Sequence, residues 1–140
     1  MVPGFEVEAS TGGARAGRLW FDRHSAATPV FMPVGTRASV RTITSADLED
    51  LGADIILGNT YHLMLRPGAD LIERFGGIHG FSDWSRLVLT DSGGYQVFSL
   101  EPKVTDDGAT FKSTYDGSTH HLTPEDAVDI QLALGADIQM

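Results

Sequence analysis

The chain has 140 residues, 41% of them hydrophobic, which suits one ordinary globular domain with a buried core. Its net charge of −9 argues against a broad electrostatic grip on nucleic acid, and the absence of cysteine excludes disulfides and thiolate metal ligands within these residues. No apolar run approaches membrane-spanning length, and the start Met1-Val2-Pro3-Gly4 lacks the features of a signal peptide, so we expect a cytoplasmic protein without membrane contact.

The amino-terminal part alternates polar and apolar residues around a glycine-rich turn. Residues 5–9 and 14–21 flank the turn at residues 10–13, and this pattern predicts a β-hairpin. Residues 29–35 then predict a further short strand.

Two helices and a strand are predicted next. Thr44 and Asp47 have capping-box spacing, which predicts a helix that ends at Gly52. Residues 53–59 predict a buried strand, and residues 69–75 predict a helix closed by two glycines. The end of the strand is polar, with the run Asn59, Thr60, Tyr61 and His62.

The chain is organised around residues 87–98 (LVLTDSGGYQVF), which follow a predicted loop at residues 80–85. The apolar run predicts a buried strand that ends at Asp91, and a carboxylate at such a position costs free energy unless something there uses it. Gly93 and Gly94 remove two side chains, so the backbone there can lie close to a ligand.

The groups around Asp91 fit a flat ligand. A carboxylate, the Ser92 hydroxyl, backbone N–H groups, the Tyr95 ring and the Gln96 amide together suit a hydrogen-bonding heterocycle. The alternative is an ordinary Asp-Ser-Gly-Gly turn in which Tyr95 only packs.

The last third predicts hairpins and then a helix. Two Asp-Gly pairs between β-prone segments predict inserted hairpin strands at about residues 101–122. Thr123 and Pro124 predict a helix start, with Glu125 and Asp126 as capping residues in its first turn rather than catalytic acids. The helix should present apolar surface and end at Gly135 before a final strand over residues 136–140; the apolar residues are Ala127, Ile130, Leu132 and Leu134.

An internal repeat indicates the fold class. Residues 51–55 (LGADI) recur at residues 134–138, each time where a helix end leads into a strand. Strands that alternate with helices imply a parallel α/β sheet, and the lack of a G-x-G-x-x-G motif favours a (β/α)8 barrel of the TIM type over a doubly wound sheet. A whole barrel needs ~250 residues, so we interpret residues 1–140 as a single partial domain.

Several long segments resemble the tRNA-guanine transglycosylase family and occur in the family's order. They are residues 28–36 (TPVFMPVGT), 53–68 (ADIILGNTYHLMLRPG), 89–100 (LTDSGGYQVFSL) and 116–137. The resemblance implies a TIM-barrel enzyme that replaces guanine at the tRNA wobble position with a 7-deazaguanine, on the route to queuosine. It also implies a homodimer at full length and a structural zinc.

The resemblance assigns roles to individual residues. It implies that Asp91 is the proton-transfer aspartate, that Asp91, Ser92, Gly93, Gly94 and Tyr95 bind the incoming base, and that Tyr95 stacks on it. Asn59 resembles a polar residue of the same pocket. The family's nucleophilic aspartate and its zinc ligands lie outside this chain, so the isolated chain is expected to be inactive.

Two other functions remain open on the residues alone. A barrel glycoside hydrolase would also use paired carboxylates at strand ends, and a noncatalytic base-binding or assembly module would suit the incomplete catalytic set. The spacing of His62, His79, His120 and His121 fits no structural zinc pattern, so we expect surface or hydrogen-bonded histidines and no metal ligands in this chain.

Overall fold

The structure is a computed structural model that describes residues 3–140; Met1 and Val2, part of the start compared above with a signal peptide, lie outside them. The strands are β1 (Gly4–Thr11), β2 (Ala14–Trp20), β3 (Ser25–Thr28), β4 (Ile55–Gly58), β5 (Leu87–Thr90), β6 (Lys103–Thr105), β7 (Gly108–Lys112), β8 (Thr119–Leu122) and β9 (Ile138–Gln139). The helices are α1 (Ser45–Asp50), α2 (Thr60–Leu65), α3 (Ala69–Arg74), α4 (Gly77–Ser82), α5 (Gly94–Phe98) and α6 (Pro124–Leu134). No helix in this part of the chain is long and apolar enough to cross a membrane.

The first sheet is antiparallel and confirms the predicted hairpin. β1 pairs with β2, and β3, which the sequence did not predict, pairs with the other side of β2. The strand expected at residues 29–35 is wrong in extent, because only Val34 forms a bridge, to Leu57. Pro29 and Pro33 lack the backbone N–H that a longer ladder would need.

The second sheet is parallel, as predicted. Its strand order is β4-β5-β9, with Gly58 opposite Thr90 and Leu89 opposite Ile138. The Val34 bridge lies along β4 and runs parallel to it. The chain therefore has an α/β fold in which successive parallel segments are spatial neighbours.

The parallel sheet is covered on two sides. Ile56 and Val88 pack towards the helices, in a cluster that includes Trp84 and Leu134. Alternate residues point the other way, and Ile55 forms a second cluster there whose buried members are Ala26, Ile55 and Leu87. Because Ala26 belongs to β3, the antiparallel sheet packs against this second side of the parallel sheet.

Trp84 is the largest fully buried side chain of the core. Only 2% of its surface is exposed, and its indole Nε1 donates a hydrogen bond of 2.9 Å to the Leu87 carbonyl at the start of β5. The indole therefore satisfies its one donor while it packs beneath the parallel sheet.

Both capping boxes form. Thr44 accepts from the Asp47 backbone and Asp47 accepts from the Thr44 backbone, and Thr123 and Asp126 repeat the arrangement at α6. Hydrogen bonds from the Thr123 backbone hold the pKa of Asp126 below its usual value, in keeping with its predicted capping role. Among the apolar residues predicted for α6, Leu134 is fully buried and Leu132 is 60% exposed.

Three short helices were not predicted from the sequence. α4 includes residues 80–82 of the loop expected at residues 80–85, α2 follows β4 in a segment for which no element was predicted, and α5 begins at Gly94, the second glycine of the pair. None of their N-cap residues makes a side-chain capping bond, and the caps are Asn59, Gly76 and Gly93.

The predicted hairpins at residues 101–122 form a third sheet of three antiparallel strands, β6-β7-β8. This sheet is joined to α2 through hydrogen bonds between side chains. Tyr61 Oη lies 3.1 Å from the Thr114 hydroxyl, and His62 Nδ1 lies 2.9 Å from Tyr115 Oη. The inserted sheet is therefore bonded to the helix that begins where β4 ends.

The repeated LGADI segment has the same structural role twice. Asp54 and Asp137 precede β4 and β9 at the amino edge of the parallel sheet, which is the edge where the strands begin. Asp54 contacts His24 Nε2 at 2.9 Å and an Arg86 guanidinium nitrogen at 3.5 Å. Asp137 lies 3.0 Å from His79 Nε2 and 3.8 Å from Arg23 Nε.

Candidate active site

Asp91 lies at the carboxyl edge of the parallel sheet, directly after β5. Its backbone N–H donates to the Gly58 carbonyl at 3.3 Å, so the ends of β4 and β5 stay in register. The adjacent loops after β4 and β5 consequently meet at this point.

The Asp91 carboxylate accepts four hydrogen bonds. Oδ2 accepts from Asn59 Nδ2 at 2.6 Å and from Gln96 Nε2 at 3.5 Å. Oδ1 accepts from the backbone N–H groups of Thr60 and Gly93, each at 3.0 Å. All four donors are uncharged, and no ion pair to Asp91 forms among residues 3–140.

The two backbone donors come from helix starts. Thr60 is the first residue of α2, and its N–H has no partner within that helix. Gly93 is the N-cap of α5. The Thr60 hydroxyl also donates to the Asp91 carbonyl oxygen, which fixes the backbone of the site.

Gly93 is required by its conformation and by its surroundings. Its φ is +78°, and a Cβ there would lie 3.1 Å from the Tyr61 nitrogen. A side chain would therefore be strained and would push α2 away from Asp91.

The remaining predicted base-binding residues lie on the same turn without touching the carboxylate. Ser92 Oγ accepts from the Gly94 N–H at 3.4 Å, which stabilises the turn. Tyr95 is 82% exposed, and its ring pairs with no other aromatic ring among the described residues. Its ring face is thus open to a ligand, and the structure brings together Asp91, Asn59, Gly93 and Gln96 but not the Tyr95 ring.

His62 is a site neighbour to which the sequence assigned no binding role. Burial lowers the pKa of His62, the negative charge of Asp91 opposes that shift, and the positive charge of Arg37 adds to it. The net effect holds the pKa of His62 below the ordinary histidine value. His62 was visible only as part of the polar run after β4, and Arg37 carried no sequence signal.

The other histidines of the sequence analysis make hydrogen bonds. His79 is buried and Nδ1 donates to the Trp84 carbonyl at 3.0 Å. His120 Nε2 lies 2.8 Å from Ser118 Oγ, and His121 Nδ1 lies 2.9 Å from the Thr110 hydroxyl. Residues 3–140 contain no group of three or more potential metal ligands, so they do not fit a zinc site.

A parallel α/β sheet with a polar cluster at its carboxyl edge is typical of α/β enzymes. The family model for queuine tRNA-ribosyltransferase matches residues 10–140. The chain therefore belongs to the queuine tRNA-ribosyltransferase family.

Individual relatives agree with the family match. The chain is 54% identical to the queuine tRNA-ribosyltransferase of Thioalkalivibrio sulfidiphilus, over 97% of this chain and 37% of the relative. It is 54% identical to the enzyme of the same name from Herpetosiphon aurantiacus, over 97% of this chain and 35% of the relative. It is 53% identical to the one from Thermotoga neapolitana, over 97% of this chain and 37% of the relative. The chain spans little more than a third of the length of these relatives.

Proposed function

We propose that this chain is the part of a tRNA-guanine transglycosylase that carries its proton-transfer carboxylate. The observation that carries the proposal is the bonding of Asp91, whose charge is held at the sheet edge by four neutral donors. The four hydrogen bonds fix the position of the carboxylate at the carboxyl edge of the sheet, and general acid–base catalysis requires a positioned carboxylate within reach of the proton that it transfers.

The proposed reaction exchanges one base for another at a ribose carbon. A second carboxylate, supplied by the rest of the full-length protein, attacks the ribose carbon as the bond to guanine breaks, and a covalent ribosyl intermediate forms. Asp91 in its acid form gives a proton to the departing guanine and becomes a carboxylate. The ring nitrogen of the incoming base then displaces the second carboxylate from the ribose, and Asp91 accepts the proton that this nitrogen loses, which restores its acid form.

Base recognition is proposed for the turn that follows Asp91. The exposed ring of Tyr95 offers one stacking face, and the Ser92-Gly93-Gly94 backbone carries no large side chain that would block a planar base. A neutral 7-deazaguanine or guanine would be held by stacking and edge hydrogen bonds rather than by charge. The Asn59 and Gln96 amides are close enough to Asp91 to take part.

The strand order supports a barrel rather than an open doubly wound sheet. The order of the parallel segments in space is the same as their order along the chain: Val34, β4, β5 and β9. In a doubly wound sheet, by contrast, the strand order reverses at the switch point. We propose that these segments form about half of a TIM-type (β/α)8 barrel wall. The full-length protein would add the remaining strands, the nucleophile and the zinc ligands, and would act on tRNA as a cytoplasmic homodimer.

Incubation of tRNA with labelled guanine tests the function. The full-length protein that carries this chain should incorporate label into tRNA, and residues 1–140 alone should incorporate none because they lack the second carboxylate. Heat-denatured full-length protein is the control for nonspecific retention of label. Failure of the native full-length protein to incorporate label would leave a noncatalytic base-binding module as the better interpretation.

A further inference from the structure

The start of α2 supplies half of the hydrogen bonds to the Asp91 carboxylate. Two of the four donors belong to consecutive residues there, the Asn59 amide at 2.6 Å and the Thr60 N–H at 3.0 Å. The Thr60 hydroxyl also donates to the Asp91 carbonyl oxygen. The position of the carboxylate therefore depends on where α2 begins.

Helix α2 cannot fix its own position. It has six residues, and the Asn59 side chain at its N-cap makes no capping bond and donates to Asp91 instead. Helices of this length are marginal in water on their own, so packing against other elements must hold α2 in place.

Tyr61, the second residue of α2, makes such contacts with the inserted sheet β6-β7-β8. The side chain is 2% exposed, and the centroid of its ring lies 5.8 Å from that of Phe111 on β7. Val97 of α5 belongs to the same buried cluster. The two helices whose starts donate to Asp91 are thus packed together with one strand of the inserted sheet.

The Tyr61 hydroxyl adds a directional bond to this packing. Its Oη accepts from the Thr114 backbone N–H at 3.2 Å and lies 3.1 Å from the Thr114 hydroxyl. Thr114 belongs to the loop between β7 and β8, which is closed by a 2.8 Å hydrogen bond from the Ser113 N–H to the Ser118 carbonyl. Apolar contacts have no preferred direction, whereas a hydrogen bond weakens steeply when its angle changes. The hydroxyl therefore fixes the start of α2 against the loop.

We propose that Tyr61 is a positioning residue for base exchange, which sets the place of the Asp91 carboxylate by bonding the start of α2 to the inserted sheet. Tyr61 acts through Asn59 and Thr60 rather than on the substrate. Proton transfer requires the carboxylate within hydrogen-bond reach of the base, so a small displacement lowers the rate. The effect on the rate rests on the proposed function, whereas the effect on the hydrogen bonds of α2 does not.

The variant Tyr61→Phe in the full-length protein is the central test. It keeps the ring beside Phe111 and removes only the hydroxyl, so the fold should be retained. The kcat for exchange of labelled guanine should fall by about three- to tenfold, the range expected for one lost hydrogen bond. The KM for guanine should stay unchanged, because the turn that carries Tyr95 is not altered. Melting curves must show that parent and variant are fully folded at the assay temperature.

Variants of the inserted sheet provide the controls. Thr114→Val removes the hydroxyl but keeps the backbone N–H, so it should lower kcat less than Tyr61→Phe does. Thr114→Ser keeps the hydroxyl and should restore the parent kcat. Thr119→Val changes an exposed threonine on β8 of the same sheet and should leave kcat unchanged.

Amide hydrogen exchange measures the position of α2 without base exchange. Mass spectrometry of peptides that cover residues 59–65 of the full-length protein should show exchange about three- to tenfold faster in Tyr61→Phe than in the parent. Thr119→Val should exchange at the parent rate. If the parent protein exchanges no base but this difference is present, the proposed function fails and the bond between α2 and the inserted sheet stands.

The other outcomes overturn the proposal. A lower melting temperature with unchanged kcat in Tyr61→Phe would show that the hydroxyl contributes only to stability. Faster amide exchange with unchanged kcat would show that α2 does not position the carboxylate. A lower kcat without faster amide exchange would show that Tyr61 does not act through α2.

Discussion

The two edges of the parallel sheet use the same side chain in opposite ways. At the amino edge, Asp54 and Asp137 each lie against a histidine and an arginine. At the carboxyl edge, Asp91 is surrounded by amides and backbone N–H groups. Asp54 and Asp137 tie segments together at the edge where the strands begin, whereas Asp91 is fixed by neutral donors at the edge where the loops after β4 and β5 meet. Position and partners together thus distinguish the two structural aspartates from the proposed proton-transfer aspartate.

The largest expected effect is that of Asp91→Asn on base exchange. The amide keeps the size of the side chain but cannot accept the proton, so the rate should fall by about 10²–10⁴-fold. The fold should survive, because the new carbonyl can still accept from Thr60 and Gly93 while the Asn59 amide turns over. Exchange of labelled guanine and the melting temperature are measured together.

Asp83→Asn is the matched control for that change. Asp83 is exposed and ends α4 with φ at +51°, a conformation that asparagine tolerates well. This variant should exchange bases at the parent rate. If Asp91→Asn does so too, Asp91 is only a turn residue and the two edges do not differ in function.

Asp137→Ala should lower stability rather than the rate per folded molecule. It leaves the buried His79 without its carboxylate and removes the acceptor of the Val88 N–H at 2.9 Å, at a cost of roughly 2–4 kcal/mol in free energy of unfolding. Asp54→Ala at the same edge should cost less, because the Asp54 side chain is 30% exposed against 12% for Asp137. Denaturant unfolding of the full-length protein measures both.

The stability effect at Asp137 should depend on pH. Burial raises the pKa of Asp137, but the bonds from His79 and the Val88 backbone and the charge of Arg23 outweigh it and hold the pKa below its usual value of 3.8. A lowered pKa in the folded state stabilises the protein above pH 3.8, and this contribution is lost as the pH falls through the folded value. The difference in free energy of unfolding between the parent protein and Asp137→Ala should therefore be largest at pH 7 and should decrease below about pH 4. A constant difference across this range would show that charge at Asp137 contributes nothing.

Tyr95→Ala should weaken base binding through lost stacking, by about 1–3 kcal/mol. Because the ring is 82% exposed, its removal should leave the melting temperature unchanged. The expected change is a higher KM for the base with a smaller change in kcat. Phe98→Ala on the same helix, where the side chain is 78% exposed, is the control and should leave KM unchanged.

The two amides beside Asp91 should have the smallest effects. Asn59→Ala should lower the exchange rate by about tenfold, since one short hydrogen bond to Asp91 is lost. Gln96→Ala should cost less, because its bond to Asp91 is 3.5 Å rather than 2.6 Å long. Single-turnover rates rank the two variants. The reverse order would mean that Asn59 does not position the carboxylate.

Short sequence patterns predicted the elements whose formation depends on neighbouring residues in the chain. The capping boxes at Thr44 and Thr123 located the starts of α1 and α6, and the apolar runs located β4 and β5. α2, α4 and α5 have five or six residues and no capping side chain, so these helices depend on tertiary packing and no local signal predicted them.

The site itself was only half predictable. Asp91 was evident at the end of an apolar run. Asn59, which makes the shortest hydrogen bond to the Asp91 carboxylate, was assigned only through the family resemblance, because it lies 32 residues away and is brought near by strand register. No periodicity or spacing encodes such an approach.

The burial of Trp84 should be visible in the fluorescence spectrum of the protein. Its indole is dry and bonded to the start of β5, so its fluorescence should be blue-shifted in the native protein and should move to longer wavelength when the parallel sheet opens. Trp20, the other indole, belongs to β2 and lies against Gly4 in the antiparallel sheet. Replacing one tryptophan at a time with phenylalanine would therefore give each sheet its own spectroscopic reporter without any added dye.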